Sequence, residues 1–145
     1  MVAQLVKNMP NLQTLQLPSA PDASFFDVPD LALKSLKIQA GYAHQDFILN
    51  LARSHNLKGL RSLAYTDVMD AVLIKEGCHT PYEHYKALFL SELFLQYKHF
   101  HFTLTDSLLT DAQLQELHAI NKDVQFLHVH TKPARYIDEQ EGLFS

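Results

Sequence analysis

The 145-residue sequence holds one cysteine, Cys78, and only four glycines. A single thiol cannot build a disulfide framework, and it suits a reducing compartment, so a cytoplasmic location is expected. Four glycines, none in a run, leave no loop able to cradle a phosphate, and no nucleotide motif exists. Positive charge is also sparse: 12 Lys and Arg stand against 16 Asp and Glu, with no basic run. Without a row of cations to neutralise phosphates, no nucleic-acid partner is expected. Long apolar runs are missing too. The densest cluster, residues 87–95, is interrupted by Ser91 and Glu92, far short of the roughly 20 apolar residues of a membrane helix. Residues 1–10 carry Lys7 and scattered apolar side chains, not the apolar core of a signal peptide. Neither membrane insertion nor secretion is expected.

What is present is hydrophobicity in a repeating pattern. Hydrophobic residues make up 47% of the chain, enough for one continuous core. Leu12-Gln13-Thr14-Leu15-Gln16-Leu17 recurs as Leu33-Lys34-Ser35-Leu36-Lys37-Ile38 and as Leu60-Arg61-Ser62-Leu63-Ala64-Tyr65. A weaker copy spans His99 to Leu104, and a fifth is Val124-Gln125-Phe126-Leu127-His128-Val129. Their starts are 21, 27, 39 and 25 residues apart, close to the length of leucine-rich repeats except for one long member. A short strand with its fourth and sixth residues turned inward cannot bury that face alone, so the units must stack.

Between the strands the apolar period lengthens to that of helices. Val2, Leu5, Val6 and Met9 share a helical face, as do Ile48, Leu51 and Ala52, and Val68, Met69 and Val72. Thr80-Pro81-Tyr82-Glu83 carries the signature of a capped helix start, which predicts one helix from Pro81 towards Tyr97. Thr110 with Gln113, flanked by Leu109 and Leu114, predicts a capping box and staple for a helix ending near Asn121. The connection 18–30 holds three prolines, so an irregular return is expected there. The long repeat is assigned an insertion near 76–97.

The strand pattern, with Thr-Asp-Ala-Gln-Leu-Gln-Glu-Leu at 110–117 after the fourth strand, resembles bacterial leucine-rich-repeat proteins of the ribonuclease-inhibitor-like type. The resemblance covers residues 5–131. It implies an α/β solenoid: about five short parallel strands on a concave face, with helices or irregular segments on the convex face. The domain would span 1–131, and 132–145 would form a C-terminal tail, a candidate cap over the last strand. The family's usual asparagine at the ninth repeat position is replaced by Ala20, Gly41, Val68, Ser107 and Lys132. Asp67 and Asp106, one position earlier, are therefore candidates to cap the following helices.

In such a stack, alternate strand residues point away from the helices, where a protein partner would touch them. That reading nominates Gln39, Thr66, His101, Thr103, Thr105, Phe126, His128 and His130, the aromatic and histidine residues being the best anchors. The expected role is a protein-binding scaffold with no enzymatic activity, no cofactor and no metal. The alternative from another class is metal chemistry or catalysis. His99 with His101, and His128 with His130, each share a strand face and suggest a metal-binding module or metal-dependent hydrolase, but a third convergent ligand is missing from the pattern. Cys78 beside His79 and His84 lacks an orienting group and an oxyanion hole. A structural cap of a longer repeat protein is a further alternative. Tyr82, Tyr85, Phe89, Phe94 and Tyr97 are assigned to core packing, with a second binding surface as the alternative.

Overall fold

The computed structural model describes residues 2–68 and 70–130. Alternating apolar residues form five strands: β1 (Thr14–Leu17), β2 (Ser35–Ile38), β3 (Ser62–Thr66), β4 (His101–Thr105) and β5 (Gln125–Val129). They make one sheet in chain order, each strand parallel to the next. Because parallel neighbours need a return crossing, every connection must pass back along the sheet. Helix α1 (Val2–Lys7) precedes β1, and the returns carry the helices α2 (Phe47–Ala52), α3 (Ala71–Lys75), α4 (Tyr82–Phe89), α5 (Glu92–Leu95) and α6 (Asp111–Ile120). α4 packs against both α2 and α6, forming a layer on one side of the sheet. Among the described residues no helix is long and apolar enough to cross a membrane. The fold is therefore α/β, with a five-stranded parallel sheet.

The inward strand residues account for the core. Leu15 aligns with Leu36, Leu63 and Phe102, and Leu17 with Ile38, Tyr65 and Leu104, all buried. Leu33, Leu60 and Phe100, just before their strands, are also buried. A line of rings runs across the repeats. Phe47 stacks on Tyr65 at 5.9 Å, Tyr65 meets Tyr85 at 6.3 Å, Tyr85 meets Phe102 at 6.5 Å, and Phe102 stacks on Phe126 at 5.4 Å. Aromatic pairs at such separations add to the burial of their area, so each repeat is held by the next. The packing is tight at Gly41, where a Cβ would stand 2.3 Å from the Tyr65 ring and 2.8 Å from the Thr66 carbonyl oxygen.

The connections follow local signals, with four departures. The first return is a single turn of 3₁₀ helix, Ala23–Asp27, as its prolines dictate. α6 starts on the expected capping box between Thr110 and Gln113 and ends at Asn121. The predicted helix from Pro81 to Tyr97, however, is broken: α4 stops at Phe89 and α5 begins after Ser91, whose hydroxyl takes up the Phe94 N–H and donates to the Leu88 carbonyl. A serine that bonds the backbone on both sides competes with helix continuation. Thr80 does not cap α4. Its hydroxyl pairs with the Tyr65 hydroxyl at 2.8 Å instead. Asp67 does not cap α3 either; Asp70 does, accepting from the Val72 and Leu73 amides. In α1 only Val6 is buried, while Leu5 and Met9 are exposed. The C-terminal tail, with its expected capping role, lies outside the described residues, as does Met69.

Candidate interaction surface

The sheet face opposite the helices is built from the alternate strand residues. One row is Thr14, Ser35, Ser62, His101 and Gln125; the next is Gln16, Lys37, Ala64, Thr103 and Leu127. A third, shorter row joins Thr66, Thr105 and Val129. Gln39 follows β2 and is exposed. Five of the eight nominated residues, Gln39, Thr66, His101, Thr103 and Thr105, thus belong to this face or its rim. Their side chains are short, polar and nearly uncharged, so desolvating them costs less than desolvating a charged face.

Phe126 and His128 do not belong to it, and His130 follows β5 at an exposed position. The register pairs Phe102 with Phe126 and Leu104 with His128, which turns both towards the helix-covered side. A shift of one residue exchanges every inward side chain for an outward one. The Phe126 ring sits 5.1 Å from Phe89 and 5.4 Å from Phe102, completing the aromatic cluster. That seat suits a ring better than a leucine, and it carries Leu127 out to 57% exposure. Val129 faces outward as well, so the open face gains two aliphatic side chains where Phe126 and His128 were expected. The signal was present in β4: Phe100, Phe102 and Leu104 alternate as Val124, Phe126 and His128 do. The fourth copy, counted from His99, holds the observed register, and the fifth, counted from Val124, stands one residue out of it.

His128 is anchored, not displayed. Its Nε2 lies 2.6 Å from the Ser107 hydroxyl, which also receives the Leu109 N–H. Burial and the neighbouring His130 hold the His128 pKa below its ordinary value, against the opposing pull of Asp106 and Asp111. The His128 and His130 rings meet edge-on at 4.7 Å. Among the described residues, no three His, Cys, Asp or Glu side chains gather into a group able to hold a metal. His99 lies before β4, outside the strand.

A buried polar cluster at the end of β3 had no counterpart in the sequence reading. The Asp67 carboxylate accepts from the amides of Val68 at 2.9 Å and Thr80 at 3.0 Å and from the Tyr85 hydroxyl. Burial raises the Asp67 pKa, partly offset by those donors. The Tyr65 hydroxyl joins through Thr80, and burial pushes its own pKa upward. This cluster ties the inserted segment to the sheet. Tyr85, Phe89 and Phe94 are buried, so most of the aromatic run is core; Tyr97 packs beside it with Arg61 over its ring at 5.1 Å. Cys78 is partly buried.

No protein-family model, no curated protein and no solved structure matches the chain.

Proposed function

We propose that the chain is a leucine-rich-repeat solenoid of the ribonuclease-inhibitor-like type that binds another protein through its open, concave sheet face, in the bacterial cytoplasm, without catalysis of its own. One observation carries the reading: five parallel strands follow each other in chain order, with the repeated motif in register from β1 to β4 and, among the described residues, helices over one face of the sheet only. A stack of this kind presents a continuous surface across several repeats, and such surfaces serve as binding platforms. The exposed aliphatic Leu127 with Val129, beside the small residues Ala64, Thr66, Thr103 and Thr105, supports contact with a partner that buries apolar atoms and few charges.

The test is site-specific photo-crosslinking in the source cell, with the probe placed at Thr105, at Leu127 or, on the helix side, at Lys86. The reading predicts one recurrent protein adduct from the first two positions and none from the third. Equal adducts from all three positions, or none from the sheet face, would reject it.

A further inference from the structure

The first return of the chain is shorter than the one beside it. The 3₁₀ turn Ala23–Asp27 lies next to α2 and ends before it does, and a cavity of about 500 Å³ opens beside the C-terminal end of α2. That volume falls among ordinary small-molecule sites. Phe26, Val28 and Pro29 give the cavity an apolar wall. Asp27, Asp30 and Arg53 also line it, and the one ion pair among the described residues joins Lys86 and Glu116 elsewhere. Both signs of charge are therefore offered without being paired to each other.

Asn56 holds the wall of this cavity in place. It lines the same cavity and is 7% exposed. Its Nδ2 donates to the carbonyls of Phe25 at 3.2 Å and Val28 at 2.7 Å, and its buried Oδ1 has no hydrogen-bond partner among the described residues. A buried acceptor left without a donor is costly, and native structures keep few of them.

We propose that this cavity binds a small zwitterion with an apolar body, of the kind represented by leucine or phenylalanine. The ammonium group is met by Asp27 and Asp30, the carboxylate by Arg53, and the side chain by Phe26, Val28 and Pro29. A ligand with one charge would gain the attraction of only one side of the site, and a wholly apolar one of neither.

Titration of the ¹⁵N-labelled full chain tests this with L-phenylalanine and L-leucine, beside 3-phenylpropionate, which lacks the ammonium, and phenethylamine, which lacks the carboxylate. The proposal predicts saturable shifts confined to residues 23–30 and 50–56 with at least one amino acid, and at least about tenfold weaker binding of both singly charged analogues. Arg53→Gln and Asp30→Asn, both at exposed positions, should each weaken binding about tenfold with an unchanged melting temperature. Absence of saturable shifts with both amino acids, or equal binding of a singly charged analogue, overturns the proposal.

Discussion

At the scale of the residue, two ionisable side chains make opposite contributions to stability. His128 is held neutral by burial and by His130, with its folded pKa below the ordinary value. A depressed pKa contributes stability that is complete above the unfolded value and is lost as pH falls through the folded one. Urea unfolding should thus show a lower midpoint at pH 5 than at pH 7.5, and His128→Gln should shrink the difference. Asp67 behaves in the other sense. Its folded pKa is raised, so its contribution is fullest below the unfolded value and declines as pH rises through the folded one. Asp67→Asn should flatten that acid-side component while loosening the Tyr85 and Thr80 contacts, visible as faster amide exchange at Thr80. Gly41 is a steric requirement: alanine there meets a Tyr65 ring whose hydroxyl is already tied to Thr80. Gly41→Ala should cost about 1–3 kcal/mol in a denaturation experiment, the range of an overpacked core.

At the scale of the element, β5 is where sequence pattern and structure part. Val124, Leu127 and Val129 look like a better apolar set than Val124, Phe126 and His128, because hydropathy ranks histidine low. Tertiary packing decides otherwise: the place beside Phe89 and Phe102 is shaped for a ring, and the imidazole finds a partner in Ser107. Phe126→Ala should consequently cost about 3 kcal/mol, while Leu127→Ala should stay within about 0.5 kcal/mol. Comparing the two unfolding midpoints checks the register directly, since the reverse ranking would place Leu127 in the core. The helices show a similar division. The capping box at Thr110 and Gln113 was legible because all its bonds are local. Thr80 was misread because its hydroxyl is recruited by Tyr65 across the fold, and the break before α5 depends on the backbone bonds of Ser91, which a polar residue on the exposed side of a continuous helix would not signal.

At the scale of the whole molecule, the parallel order of the strands was legible because the motif Leu-x-x-Leu-x-Leu repeats with little change through β1, β2 and β3. Stacking then follows from the need to bury one face of each strand. The Asp67 cluster and the cavity beside α2 were not legible. Each joins residues far apart in sequence, and neither leaves a spacing in the chain. Among the described residues the core does not account for the sheet face opposite the helices, and the central claim is that it binds a protein. The most direct measurement is the affinity of the partner recovered by crosslinking for purified chains carrying Thr103→Glu with Thr105→Glu, or Lys86→Glu on the helix side. The account predicts that the paired sheet-face change weakens binding at least about a hundredfold, as two desolvated charges in an interface should, with the helix-side change within about twofold. Undiminished affinity in the sheet-face variant, with its fold intact, would contradict it.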